Sequence, residues 1–349
     1  MQSIAKKQRN PMNKKPVQTL GDIARLANVS ESTVSRALNN SSLVNQETKE
    51  RIQSIARKHN FRINVSARNL RLRQSNTIAF VAPVYFPEFF SVEDLFGLEI
   101  LGGIGHGLHT LGYDLLVIHI NPSDTTWAQS YLDSGRVDGF IVIMASNRKQ
   151  PNLKPLIKMG APFITWGVPA PKFKYCSVIG DNIAGGTLAT QHLLRIGRQR
   201  IAFLGGPYDE VEVQHRFKGY ENALLAAGRS VDPRLLAYGD YTYASGGAVM
   251  QRLLEQSPDV DAVFVNSDLM AIGAISTIQN SGKRVPEDIA VVGYDDLSIA
   301  IYNNLPLTTI RQNIPLAGKL LAQNLIQYIE TAVVTNVTTP VELVIRKSA

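Results

Sequence analysis

Apolar side chains recur along this chain with two different periods. From Thr19 to Asn60 they fall at helical spacing: Leu20, Ile23, Ala24, Leu26 and Ala27 mark one face, Val34, Ala37 and Leu38 a second, and Ile52, Ile55 and Ala56 a third. Thr19, Ser30 and Asn45 stand where each helix begins, with side-chain oxygens able to accept from the free amides of a first turn. Asn28 and Asn60 stand where the chain must reverse, in the left-handed conformation that Asn tolerates. The pattern predicts three short helices, the third over 46–59, with a three-residue turn between the first two.

From Thr77 the apolar residues come in short continuous runs. TIAFVAP, YDLLVIHI, GFIVIMA, APFITWG, RIAFLGG, AVFVNSD and IAVVGYDD read as fully buried strands. Helical stretches at about 95–111, 183–194, 216–227 and 245–255 alternate with them, and such alternation predicts parallel sheets covered on both faces. Ligands of these sheets sit beyond the carboxyl ends of the strands. Val84, Trp166, Gly205, Ser267, Asp268 and Asp295 therefore outline a candidate cleft.

With 349 residues the chain is long enough for two or three domains. Its 44% hydrophobic and 19% charged residues exclude a disordered, collagen-like or disulfide-rich chain. The longest apolar runs, such as 140–145, fall far short of the roughly 20 residues that span a bilayer, so no membrane partner is expected. The basic N-terminus has no apolar stretch behind it, and Cys176 is the single cysteine; together they predict a cytoplasmic protein. Charge divides the chain sharply. Residues 1–76 carry 15 basic and 4 acidic side chains, a net +11, whereas residues 77–349 carry 21 and 25, a net −4. A basic module this concentrated points to nucleic acid, because Lys and Arg neutralise phosphates and release counterions.

Two short helices joined by a tight turn form a helix-turn-helix, whose second helix enters the major groove. The outward residues of that helix are Glu31, Ser32, Thr33, Ser35 and Arg36. The run VSESTVSRALN, followed by VNQETKERIQSIARKHNFRINVSARNLRLRQSNTIAFVAP, resembles the DNA-binding head of the LacI/GalR family of bacterial repressors, without a gap from Thr19 to about Pro83. By that resemblance Glu31 and Ser32 occupy the positions that choose the operator, and Arg36 the position that reads guanine. Their chemistry agrees: Arg offers a bidentate fork to guanine O6 and N7, and Glu accepts from a cytosine amino group. Thr19, Thr33, Ser35 and Asn39 suit phosphate contacts, which fix register. Residues 64–71 match the family hinge, where Ala67 would allow close approach to the minor groove and Leu70 would wedge between base pairs. Ile63 stands where a proline is usual, and MNKKPVQTLGDIA from Met12 resembles a common family beginning.

The resemblance continues through VIGDNIAGG, HRFKGY, VNSDLMAIGAI, VVGYDD and LPLTTIRQ. It implies a small all-α helix-turn-helix head plus an α/β two-lobed body like the periplasmic binding proteins, with parallel sheets. The expected domains are a basic extension at 1–18, the head at 19–62, the hinge and linker at 63–76 and the effector-binding, dimerising body at 77–349. Within the body, the lobes are expected at 77–178 plus 310–337, and at 179–309 plus a C-terminal strand. By the same resemblance Arg216 donates to an effector and Asp295 accepts from it. Tyr241 stacks on it, Phe96 and Trp166 line the pocket, and Gln312 adds a polar contact. Ser267, at a strand end, joins them as an effector contact. A few placed polar groups on apolar walls suit a sugar. Asp268 and Asp181 read first as helix caps, Trp166 equally as a core aromatic, and Arg216 also as an ion-pair partner. Gly167 replaces a polar residue common at its position, and Tyr85, Phe86, Phe89 and Phe90 form an unusually long aromatic segment.

Enzyme signatures are sparse. His106 and His109 lack a third ligand, so no metal is expected. Gly102, Gly103, Gly105 and Gly107 fall inside a helical pattern and not at a strand-to-helix turn, which argues against a nucleotide loop. The expectation is a sequence-specific transcriptional repressor without cofactor or catalysis, a homodimer on palindromic operator DNA, controlled by a small-molecule effector of the sugar class.

Overall fold

The computed structural model describes residues 19–61, 74–83, 95–121, 124–143, 153–169 and 172–349. Ala67, Leu70, Val84, the extension at 1–18 and the aromatic segment at 85–90 lie outside them. The chain divides into two units, Met1–Arg73 and Gln74–Ala349.

In the first unit, α1 (Leu20–Ala27), α2 (Glu31–Leu38) and α3 (Gln46–Lys58) start where the caps predicted. The Thr19 hydroxyl accepts from Asp22 N at 3.1 Å while the Asp22 carboxylate accepts from Thr19 N at 3.0 Å, a reciprocal box that satisfies two free amides. Ser30 accepts from Thr33 N and Asn45 from Thr48 N in the same way. Asn28 closes α1 in the left-handed region, with φ 51°. Ile23, Val34, Ala37 and Ile52 are fully buried between the three helices. Leu26 is exposed instead of facing this core. It sits one residue, about 100°, round from Ala27, outside the stripe that meets α2 and α3.

The second unit contains two sheets, each of six strands. The first holds β1 (Thr77–Pro83), β2 (Asp114–Ile120), β3 (Gly139–Ile143), β4 (Phe163–Trp166) and β5 (Cys176–Gly180). The second holds β6 (Ile201–Gly205), β7 (Leu236–Tyr238), β8 (Ala262–Val265), β9 (Ala290–Asp295) and β10 (Thr308–Gln312). The chain then returns to each: β11 (Asn336–Thr339) pairs with β5, and β12 (Val341–Val344) with β10. The orders are β11-β5-β4-β3-β1-β2 and β12-β10-β9-β8-β6-β7. All described pairings are parallel except that of β12, which runs antiparallel at an edge.

Helices α4 (Leu95–Thr110), α5 (Trp127–Asp133) and α6 (Leu153–Met159) belong to the first lobe. Helices α7 (Asn182–Arg195), α8 (Val211–Ala226), α9 (Tyr243–Gln256), α10 (Asp268–Asn280) and α11 (Ser298–Tyr302) belong to the second. The long α12 (Ile314–Thr331) follows β10 and packs back on the first lobe, in one apolar cluster with Ile100, Ile104 and Leu108 of α4. The chain thus passes between lobes after β5, after β10 and at Pro340.

Three expectations change. Residues 310–312 belong to the second lobe, because β10 pairs with both β9 and β12. The strand YDLLVIHI is not fully buried: β2 is an edge strand, with Asp114 and Val117 exposed. Helix α8 starts five residues before Arg216, at Val211, which puts Arg216 in a helix interior.

Candidate functional site

On the head, Glu31, Ser32, Arg36 and Asn39 are exposed along α2, while Thr33 and Ser35 are half-buried. Ser32 and Arg36 lie four residues apart, on one face. The hydroxyls of Ser32 and Thr33 both reach the Ser30 hydroxyl, at 2.8 and 2.9 Å. Asn39 folds back, donating from Nδ2 to Ser35 O at 2.7 Å. Among the described residues Arg36 makes no ion pair. Glu31 lies against the first turn of α1: a Cβ on Gly21 would come within 2.7 Å of its Oε1. Thr19 is exposed at the N-terminus of α1.

In the body, α8 carries Arg216 into the space beyond the carboxyl ends of β8 and β9. Its side chain is buried. Nε donates to Asn182 Oδ1 at 2.7 Å and Nη1 to the Asn266 carbonyl at 2.6 Å. Its Cζ lies 3.8 Å from the centroid of the Tyr294 ring, a cation–π contact. Burial alone would lower the pKa of Arg216, but the negative potential of Tyr294, Tyr241, Asp295 and Glu212 outweighs it and raises it. Among the described residues no ion pair within 4.0 Å joins Arg216 to a carboxylate; the nearby acidic group acts on it through its charge alone.

That acidic group is Asp295, at the end of β9, where the chain turns with φ 113° and 59° at Asp295 and Asp296. It is buried and accepts from Gln312 Nε2 at 2.8 Å. Burial pushes its carboxyl up to about 6, with Glu99 adding to the shift and Arg216 and Gln312 opposing it. Gln312 Oε1 has no hydrogen-bond partner among the described residues. Neither Nδ2 nor Oδ1 of Asn266 has one, although this residue is fully buried between β8 and α10.

The other predicted residues are arranged as follows. Tyr241 has φ 73°, donates its hydroxyl to Glu210 Oε2 at 2.8 Å, and packs its ring against the second lobe's core and Gly206. Ser267 caps α10, accepting from Met270 N at 3.2 Å. Asp268 is therefore not the cap expected; it is the buried first residue of α10, accepting from Leu297 N at 2.8 Å and Thr309 Oγ1 at 2.5 Å. Burial, and then the charge of Asp295, hold its carboxyl well above the usual range. Asp181 does cap α7, accepting from Ala184 N. Trp166 is buried in the first lobe's core, its ring 6.0 Å from that of half-buried Phe96.

Two residues that the sequence reading passed over complete the arrangement. Asn182 accepts from both Arg216 and the Tyr294 hydroxyl, and Asn266 fixes Arg216 through its carbonyl. The VNSD motif held a signal for Asn266, a polar residue directly after a buried strand. The lobes are tied across the cleft by two glutamates: Glu99 Oε1 accepts from Ser298 N and Oγ at 3.0 and 2.8 Å, and Glu212 Oε1 from Val168 N at 3.1 Å. Among the described residues no group of three His, Cys, Asp or Glu side chains could hold a metal. No described helix is long and apolar enough to cross a membrane.

Comparison with known proteins covers both units. Residues 19–64 match the family described as bacterial regulatory proteins, lacI family, and residues 91–347 match periplasmic binding proteins and sugar binding domain of LacI family. The chain is 37% identical over 337 residues to the HTH-type transcriptional regulator CelR of Thermobifida fusca, covering 95% of this chain and 98% of that protein. A solved complex of the transcriptional regulator CelR with cellobiose superposes with a TM-score of 0.73 at 34% identity, over 95% of this chain and 100% of that one. The lac repressor dimer bound to operator and the anti-inducer ONPF superposes with a TM-score of 0.81 at 31% identity, over 96% and 99%.

Proposed function

The chain belongs to the LacI family of bacterial regulatory proteins and is a DNA-binding transcriptional regulator; from that premise we propose how it reads DNA and what controls it. It acts as a repressor, a homodimer whose two heads read the halves of a palindromic operator. The head is residues 19–62, the hinge and linker 63–76 and the effector-binding body 77–349. Glu31, Ser32 and Arg36 read bases. Thr19, Thr33, Ser35 and Asn39 position the head on phosphates, and Ala67 and Leu70 engage the minor groove.

The cleft binds a neutral sugar. The observation that carries this reading is the convergence of Arg216, Asp295, Gln312 and Asn266, with Asn266 Nδ2 and Oδ1 and Gln312 Oε1 unpartnered among the described residues. Buried polar atoms without partners are unfavourable, and a polyhydroxylated ligand supplies both donors and acceptors. Arg216 donates to a hydroxyl, Asp295 accepts from one, and Tyr241, Phe96 and Trp166 supply ring faces. Ser267, two residues beyond β8, adds a further contact. The complex of a 34% identical relative with cellobiose makes cellobiose the first sugar to titrate.

A bound sugar shifts the dimer between DNA-competent and DNA-incompetent forms by no more than its differential affinity for the two. The protein binds its effector without turning it over, needs no cofactor, and works in the cytoplasm beside its operator. The test is calorimetric titration of cellobiose and other disaccharides into the purified dimer, followed by operator binding with and without the sugar that binds. Heat of binding without any change in operator affinity would remove the effector role. Release of free glucose on incubation would make the protein an enzyme.

A further inference from the structure

The chain enters the body immediately after the residues read as the hinge, and one carboxylate meets it there. Asp138, just before β3, accepts from Ser75 N through Oδ1 and from Asn76 N through Oδ2, both at 2.7 Å. Both oxygens of one side chain are thus spent on two consecutive backbone amides. The backbone of Asp138 closes the circle, its N donating to Thr77 O at 2.8 Å. Asn76 turns through the left-handed region with φ 49°, and its carbonyl accepts from Asp114 N at 2.8 Å, at the start of β2. Between them, Ser75 and Thr77 exchange hydroxyl bonds: Thr77 N reaches Ser75 Oγ at 3.1 Å and Thr77 Oγ1 reaches Ser75 O at 3.2 Å. The entry point is therefore pinned to the starts of β1, β2 and β3 at once, and Asp138 supplies the two charge-assisted bonds, the stronger kind.

We propose that Asp138 is a positioning residue for operator recognition: its carboxylate clamps Ser75 and Asn76, fixing the point at which the chain from the DNA-binding head enters the first lobe. This rests on the regulator reading above. Register is the reason such a fixed point matters. Three residues released from the body add roughly 10 Å of reach, against a rise of about 3.4 Å per base pair along the duplex axis. Slack of that size lets two heads meet a palindrome in many registers, so the specific complex loses its advantage while the lobes, and the cleft between them, stay as they were.

Asp138→Asn removes the charge and one acceptor with little change of shape; Asp138→Glu keeps the charge. Operator duplex selected from a random library, random-sequence duplex and cellobiose are the probes. The Asn variant is expected to bind the operator at least tenfold more weakly, random duplex within twofold of the parent and cellobiose within twofold, with Glu recovering part of the operator affinity. Hydrogen exchange reads the clamp directly in the unmutated protein. There the Ser75 and Asn76 amides should exchange as slowly as the interior of β1, and at least tenfold faster in Asp138→Asn.

Operator affinity unchanged in the Asn variant overturns the proposal. So does a cellobiose loss equal to the operator loss, which would make Asp138 a mere support of the lobe. Fast exchange at 75 and 76 in the unmutated chain overturns it even if the variant fails to fold. Failure of the unmutated dimer to select any operator would instead remove the regulator reading, leaving the exchange measurement to judge the clamp.

Discussion

The guanidinium carbon of Arg216 lies 3.8 Å from the centre of the Tyr294 ring, and the hydroxyl of that tyrosine donates to the same Asn182 oxygen that accepts from Arg216 Nε. One asparagine therefore sets both the ring and the cation above it. The arginine is aimed before any ligand arrives, which reduces what binding must spend on ordering it.

Arg216→Lys should consequently behave as a loss and not as a conservative exchange. Lysine has no planar fork to lie on Tyr294 while reaching Asn182 and the Asn266 carbonyl. A lost charged hydrogen bond is worth about 1.5 to 3 kcal/mol, so effector affinity should fall by roughly one to two orders of magnitude. Operator binding without effector should stay within a factor of two. Anisotropy of labelled operator, titrated with effector, checks both; an unchanged response would move the pocket away from Arg216.

Asp295 makes the body sensitive to pH. Its folded carboxyl titrates near 6, above the 3.8 of the unfolded chain, because burial outweighs Arg216 and Gln312. Between about pH 4 and 6 the folded state holds a proton that the unfolded chain has released, so this residue's contribution falls as pH rises through the window. The full difference is on the order of 3 kcal/mol. Asp295→Asn should therefore melt higher than the parent at pH 7.5 and alike at pH 4, and loss of the Asp295 charge should also relieve part of the upward shift of buried Asp268. Effector affinity of the parent should fall toward pH 5, since a protonated carboxyl is a poorer acceptor. Thermal unfolding at the two pH values decides; an equal difference at both would assign the cost to something other than ionisation.

On the head, Arg36→Ala should weaken operator binding by about 1 to 3 kcal/mol and relax preference at one guanine, because a bidentate base contact is lost. Random-sequence binding should change much less. Selection from a random library with both proteins reads this out, and equal loss on specific and random DNA would make Arg36 a phosphate contact.

How much of this was legible depended on the range of the interaction. Thr19, Ser30 and Asn45 could be recognised as caps because a cap bonds only three residues away. Strand positions followed from apolar runs, but β2 misled: its composition matches a central strand, and only the sheet order makes it an edge. Gln312 was assigned a cleft role while its strand was given to the other lobe, since nothing local says which sheet Thr308–Gln312 joins. Asp268 resembled a cap because it stands at a helix start, yet its partners, Leu297 and Thr309, are 29 and 41 residues away. The role of Asn182 and Asn266 is not a local one, because only the fold brings Arg216 to them.

Helix packing offers a separate test. Where α7 crosses α8, a Cβ on Gly186 would stand 2.1 Å from the Arg216 carbonyl oxygen, and one on Gly219 would stand 2.2 Å from that of Ile183. Backbone cannot yield as a side-chain tip can. Gly186→Ala should force the helices apart, costing roughly 1 to 3 kcal/mol and displacing the backbone that carries Arg216. Denaturant unfolding should show the loss, with effector affinity falling alongside it. Unchanged stability would mean that the crossing is looser than described.

Asn266 separates function from stability most sharply. Its side-chain amide is fully buried, and neither polar atom has a partner among the described residues, while its carbonyl alone holds Arg216. Leaving such groups unsatisfied costs about 1 to 3 kcal/mol, and replacing them by an apolar group of similar shape recovers part of that. Asn266→Leu keeps the carbonyl and the γ-branched shape while removing the unsatisfied polar atoms, so the free body should be about as stable as the parent. Effector affinity should nevertheless drop at least tenfold, because a sugar hydroxyl would meet a methyl group where it had met an amide. A variant both less stable and fully responsive to effector would show that the amide serves the fold and not the ligand. Binding residues that burden the free protein are a recurring trade between activity and stability, and this position tests it with one substitution and two measurements.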